Sequence, residues 1–219
     1  MIPTSTFKFL KELKVNNNRE WFNDHKNEYE AAKKNFEEFI DKLIDGISTF
    51  DAGVRGLQGK KCVFRIYRDV RFSHDKSPYK TNFGASINPG GKKSLRGGYY
   101  FHIEPGASFI GGGMYMPPSP ELHAVRLAIY NTTKEFKKII TKKSFVDSFG
   151  ELWGEKLKTA PKDFPKDFAD IDLLRFKSYV VGQDNKKDKD IQSPDLLKNS
   201  IKLCKEMYPF LTFINKAIS

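Results

Sequence analysis

The sequence predicts an α+β fold: a mainly antiparallel central sheet packed against N-terminal helices and a C-terminal helix, in one domain spanning residues 1–219. Three observations predict it. The first quarter of the chain carries apolar residues at helical spacing. The middle alternates apolar and polar residues between Gly- and Pro-rich breaks, and the end returns to helical spacing. With 19 Phe and 9 Tyr in 219 residues, the aromatic content suffices for one substantial core.

The elements follow in order. Phe7, Leu10 and Leu13 define a short helix behind a Thr/Ser start, closed by the turn at Asn16, Asn17 and Asn18. Asn18 is the expected N-cap of a second, longer helix. There Phe22, Tyr29, Phe36 and Leu43 share a face with Ile40 and Ile47, a core stripe rather than a cofactor box, ending near Gly46. From Lys60 the period becomes two. Residues 62–72 predict a strand with Phe64, Ile66, Arg68, Val70 and Phe72 on one face and Val63, Arg65, Tyr67, Asp69 and Arg71 on the other. A polar loop follows over 73–81, then a strand over 83–87 and a Gly-rich turn. Residues 99–104 and 108–116 read as a hairpin around Pro105 and Gly106. Ser119 is placed to cap a helix to about Tyr130, with another over 133–140. Residues 145–157 read as helical or irregular, and Pro161 and Pro165 punctuate a loop. Residues 174–181 predict a strand, 182–190 a linker-like stretch, and 194–217 a final helix kinked near Pro209.

The net charge of +11 is concentrated. Residues 60–96 hold ten Lys or Arg against Asp69 and Asp75, a local +8 that leaves +3 for everything else. Such a cluster attracts phosphorylated metabolites, nucleic acid or an acidic partner. No 18-residue apolar run predicts a membrane span, and the N-terminus lacks the pattern of a signal peptide, so the expected location is cytoplasmic. Cys62 and Cys204 are expected to be free core thiols. His25, His74, His102 and His123 lack metal-ligand spacing, so no metal site is expected. Walker, dinucleotide, kinase and nucleophile-elbow motifs are absent, and no cofactor is indicated.

The candidate site is the basic stretch. Arg65, Asp69 and Arg71 are expected on one strand face at about 6–7 Å per two residues. Asp69 would hold one arginine while the other forks onto a carboxylate or phosphate. Arg68, among apolar neighbours, needs a partner, for which Glu104 is a candidate. Lys76 and Lys80 supply cations, Ser77 and Thr81 hydroxyls, and Tyr67 and Tyr79 rings for stacking. In the hairpin, Tyr100, His102 and Glu104 share a face, which makes His102 either an oriented base or a hydrogen-bonded sheet histidine. Gly111, Gly112 and Gly113 serve either a close approach of ligand or backbone, or a bulge. The leading expectation is binding of an anionic, phosphate-bearing small ligand by Arg65, Arg68, Asp69, Arg71, Lys76, Lys80 and Glu104. One alternative is an enzyme with His102 or His74 as base and Ser77 or Tyr79 in proton transfer. Others are non-specific nucleic-acid binding, a protein-interaction surface and a structural ion-pair network.

The runs at 17–22 (NNREWF), 65–81 (RIYRDVRFSHDKSPYKT) and 112–117 (GGMYMP) resemble the bacterial and fungal proteins of the DUF2461 family. The resemblance extends over nearly the whole chain, through 157–161 (LKTAP) and 173–177 (LLRFK). It implies a single domain and the central run as a candidate site, and it brings no activity, substrate or cofactor. After Pro161 the family pattern has a glycine and later a His-Pro pair. This chain has Asp163 and then Phe168 and Ala169 there, which argues against a histidine acting in that segment.

Overall fold

In the computed structural model, which describes residues 1–185 and 187–218, helix α1 (Thr4–Val15) buries Phe7, Leu10 and Leu13 as their spacing predicts. Asn18 caps the next helix, its Oδ1 accepting from the Trp21 N–H at 2.9 Å. That helix is shorter than expected. α2 (Arg19–Asp24) stops at His25, and α3 (Lys26–Ser48) starts beyond it. The His25 ring stacks on Trp21 at 4.0 Å, and its Nδ1–H donates to Trp21 O at 2.8 Å. The His25 backbone N–H also donates to Trp21 O, at 3.0 Å, so the one expected helix is present as two segments that meet at His25. The α3 stripe is the core face that its period predicts, with Tyr29, Phe36, Ile40, Leu43 and Ile47 buried.

Residues 62–72 do not form the expected strand. A one-turn helix, α4 (Gly59–Cys62), leads into irregular chain that doubles back on itself. Isolated bridges join Val63 to Ala85 and Tyr67 to Tyr79. Three backbone bonds hold the return: Phe64 N–H to Gly84 O at 2.9 Å, Lys80 N–H to Ile66 O at 2.8 Å and Arg68 N–H to Pro78 O at 2.9 Å. The segment is therefore an open hairpin whose tip carries charges that cannot enter a core. Its two expected faces are not formed. Cys62, Val63, Ile66 and Tyr79 are buried, whereas Phe72 at the tip is 95% exposed.

The sheet is antiparallel in the order β1 (Phe83–Ile87), β2 (Gly98–Ile103), β3 (Ser108–Met114), β4 (Tyr179–Asn185). The first three strands lie where alternation predicts them. The fourth starts late, because a helical turn, α8 (Ile171–Leu174), occupies the start of the expected strand. It then continues into the stretch read as a linker. One sheet face is buried: Phe83 packs on Phe36 at 5.6 Å, and Phe101 on Phe39 at 5.0 Å. Helix α10 (Leu196–Lys216), with Pro209 inside it, crosses the same face. Its Met207 sulfur sits against Gly112, so close that no larger residue fits there.

Between β3 and β4 the chain forms α5 (Ser119–Asn131), α6 (Thr133–Ile140) and α7 (Lys143–Phe149). Ser119 is the first residue of α5 rather than its cap, which is Pro118. Phe136 of α6 ties these helices to the sheet, meeting Tyr179 at 6.3 Å and Phe210 at 6.2 Å. A last short helix, α9 (Asp188–Ile191), precedes α10. Asp163 adopts φ 72°, the left-handed conformation that glycine takes without penalty. Cys62 and Cys204 are buried free thiols. No described helix is long and apolar enough to cross a membrane.

Candidate functional site

The second sheet face is half-buried and carries Tyr100, His102 and Phe109. Period two puts residues 100, 102 and 104 on one side of the β2 line, about 6–7 Å apart, close enough for an imidazole to bridge its neighbours. His102 Nε2 lies 3.3 Å from Glu104 Oε2, and Nδ1 lies 3.2 Å from the Tyr100 hydroxyl and 3.4 Å from Asn82 Nδ2. Glu104, an acceptor, takes the Nε2–H. Nδ1 is then left as the acceptor for the Tyr100 O–H and the Asn82 amide. Thr81 Oγ1 donates to the other Glu104 oxygen at 2.8 Å, which fixes the carboxylate. The imidazole stacks on Phe109 at 4.8 Å with planes 18° apart, and Trp153 meets Phe109 edge-on at 5.9 Å. The histidine is thus held in plane and bonded at both nitrogens.

Burial pulls the His102 imidazole below its ordinary 6.5, while the hydrogen bond and charge of Glu104 oppose that shift. Burial and the Glu104 charge push the Tyr100 phenol up. A consequence for stability follows. Below about pH 6.5 the unfolded chain protonates this histidine while the native protein keeps it neutral, so stability present above that pH is lost on acidification. Unfolding free energy is expected to fall by up to about 1.4 kcal/mol per pH unit for one proton as pH drops below about 6.5, and the thermal midpoint is expected to fall with it. His102→Gln is expected to flatten that part of the profile. An unchanged slope in the variant would assign the loss to other groups.

The basic stretch divides into paired and unpaired cations. Arg71 forks onto Asp69 with Nε and Nη2 at 2.9 and 2.7 Å, which lowers the Asp69 pKa. Arg68 does not reach Glu104. It pairs with Asp75 and also donates to Ser77 O at 3.3 Å and Ser73 Oγ at 3.4 Å. The partner comes from the same loop because the tip folds back, whereas Glu104 is already held by Thr81 and His102. The Ser77 hydroxyl and N–H, with Arg68 adding to them, hold the Asp75 carboxyl at about 2. Ser77 is thus engaged by Asp75, at 2.6 Å from its Oγ.

Arg65, Lys76, Lys80 and Lys92 have no carboxylate partner among the described residues. Lys80 Nζ donates to Arg65 O at 3.0 Å, Lys76 Nζ to Val70 O at 3.1 Å and Lys92 Nζ to Val63 O at 2.7 Å. Burial, and then the Arg65 charge, pull the Lys80 ammonium down. Lys80 and Lys92 both lie over the Phe64 ring, at 5.7 and 5.5 Å from its centroid. Phe64 in turn lies 6.3 Å from Tyr100, which connects the basic hairpin to the half-buried sheet face.

Three sequence-derived expectations change. Tyr79 is no ligand platform: it is 4% exposed and stacked on Phe22 at 3.9 Å. Asn17 clamps its backbone at both ends, Nδ2 donating to Tyr79 O at 2.9 Å and Oδ1 accepting from Tyr79 N–H at 3.1 Å. Tyr67 is 51% exposed, with its ring 5.5 Å from Tyr79 and 6.2 Å from Phe22. His74 is exposed at the loop tip, with no hydrogen bond or ion pair among the described residues to orient it. The three glycines of β3 serve the close approach of backbone and helix, not of a ligand.

Sequence reasoning missed Asn82, Lys92, Phe109 and Trp153. Only the register between β1 and β2 places Asn82 beside His102. It also missed Glu121 and Arg126 on α5, the latter donating to Phe176 O at 2.8 Å. There Arg126 Nε and Glu121 Oε2 are buried without a partner among the described residues. No cluster of three or more His, Cys, Asp or Glu side chains able to hold a metal occurs among the described residues. A family model described as conserved hypothetical protein (DUF2461) matches residues 5–213. No curated protein and no solved structure matches the chain.

Proposed function

We propose, for a chain that belongs to the DUF2461 family, that the basic hairpin beside the half-buried sheet face binds an anionic, phosphate-bearing small ligand. The observation that carries this reading is the juxtaposition of Arg65 and Lys80. The Lys80 ammonium is bonded to the Arg65 backbone carbonyl, neither cation has a carboxylate partner among the described residues, and burial, then the Arg65 charge, depresses the ammonium. An anion relieves that repulsion, and a guanidinium fork with a nearby ammonium suits phosphate oxygens. Lys92 beside Phe64 extends the basic rim, and Tyr67 offers a ring for stacking. Asp69 and Asp75 hold Arg71 and Arg68, so these arginines shape the hairpin more than they bind.

Thermal unfolding against phosphate, pyrophosphate, nucleotides and sugar phosphates tests the reading. At about 100 times its dissociation constant a ligand stabilises by roughly 2.7 kcal/mol, a midpoint rise of several degrees at roughly 2–4 °C per kcal/mol. Arg65→Ala and Lys80→Ala are expected to abolish the rise, and Arg71→Ala to reduce it less. No rise with any of these anions would overturn the reading. Short single-stranded DNA provides a further arm. Binding that falls steeply with salt, and exceeds that of every small anion, would favour nucleic acid.

A second reading, an enzyme using His102, is favoured by the hydrogen bonds on both its nitrogens, the arrangement of an oriented base. His74 lacks any such support.

A further inference from the structure

We propose that Tyr100 is a nucleophile activated by His102, so that the half-buried sheet face carries a Tyr–His–Glu chain acting on an electrophilic ligand. The inference rests on the second reading, His102 as a base, and names the group on which that base acts. Its geometry follows from strand spacing: Glu104 accepts from Nε2 at 3.3 Å, which presents the Nδ1 lone pair to the Tyr100 O–H at 3.2 Å. The Phe109 stack, with planes 18° apart, holds the ring orientation, and Thr81 holds Glu104 at 2.8 Å. Tyr100 is fixed as well. Its ring lies across Gly84, where a Cβ would meet Cζ at 3.1 Å, so glycine there keeps the space that the phenol occupies.

A neutral histidine is needed to receive a proton, and burial keeps His102 neutral. Burial and the Glu104 charge push the Tyr100 phenol up, which opposes its ionisation before attack, so its proton is transferred only as the new bond forms. In the step, the phenolic oxygen bonds to the electrophilic centre. Its proton passes to Nδ1, and the leaving group departs with the bonding electron pair. Glu104 stabilises the imidazolium that results. No other reactant is required.

An aryl sulfonyl fluoride tests this without knowledge of the natural ligand. The oxygen–sulfur bond forms, the sulfur–fluorine bond breaks, fluoride leaves and the proton goes to His102. Peptide mass spectrometry over time is expected to show Tyr100 labelled about tenfold or more faster than Tyr115, although Tyr115 is 77% exposed and Tyr100 is half-buried. His102→Gln is expected to bring Tyr100 below Tyr115 while the Tyr115 rate stays unchanged, which also reports on the fold. Glu104→Gln, which preserves side-chain shape, is expected to slow Tyr100 labelling and covers the case in which the histidine variant fails to fold. Labelling of Tyr100 slower than Tyr115 in the unsubstituted protein, or equal in both variants, would overturn the proposal. The labelling is read on the unsubstituted hairpin with no phosphate ligand present, so a failure of anion binding and a failure of the tyrosine remain distinguishable.

Discussion

Alanine at Gly113 is expected to remove a large part of the stability of this protein, roughly 3–5 kcal/mol of the 5–15 typical of a domain. Gly113 pairs with Gly98 on one side and Val180 on the other. Its φ of 131° lies in a region that L side chains rarely adopt. An added Cβ would stand 2.7 Å from the Val180 Cα and closer still to the Tyr179 carbonyl oxygen. Both are backbone atoms of the adjacent strand, so no rotamer change relieves the clash. Either β3 and β4 separate locally or the pairing is lost. Gly106→Ala is the control. Its φ is 78°, but nothing lies within 4 Å of an added Cβ, so a cost of only about 1 kcal/mol is expected. Urea unfolding of the two variants measures the difference. A Gly113→Ala protein within about 1 kcal/mol of the parent would refute the register of this strand pair.

Tyr79→Ala is expected to cost about 3–4 kcal/mol. The buried ring is stacked on Phe22, and the backbone clamp from Asn17 depends on its position. Tyr67→Ala, at an exposed ring, is expected to change stability by about 0.5 kcal/mol or less. The two variants should separate the roles of the tyrosines in binding. Tyr79→Ala weakens every phosphate ligand by loosening the hairpin, while Tyr67→Ala weakens only ligands that carry a ring. Denaturant unfolding, paired with the thermal-shift panel, checks both. If Tyr79→Ala left stability within about 0.5 kcal/mol of the parent, the α2–hairpin contact would not hold the loop.

What was legible in the sequence was what depends on near neighbours. The α1 and α3 stripes, the Asn18 cap and the β2–β3 hairpin all follow from residues a few positions apart. The bridging of His102 to Glu104 followed from spacing alone, since residues two apart on a strand share a face. The failures lie where distant chain or a folded-back loop decides. Alternating residues over 62–72 imitate a strand, but three arginines and an aspartate among them favour a solvated hairpin over a paired ladder. Tyr79, in a polar loop, gave no local sign that Phe22 would cover it. Arg68 found Asp75 because the tip reverses direction, and no pattern in the sequence marks that reversal. The break at His25 was hidden because no glycine or proline marks it.

The short bridges at the two margins of the sheet bear on how this protein meets others. Val63 and Phe64 occupy backbone positions on the outer margin of β1, through the Ala85 bridge and the bond to Gly84 O at 2.9 Å. On the far margin, Trp153 N–H donates to Val180 O at 2.8 Å. A sheet whose edge strands are interrupted in this way offers no long unpaired ladder as a template for another chain. Self-association by edge-to-edge growth is thereby disfavoured, and a partner that recognises proteins by adding a strand finds part of each edge already taken. Recognition must then run through side chains, and the exposed ones nearest the β1 edge are those of the basic hairpin.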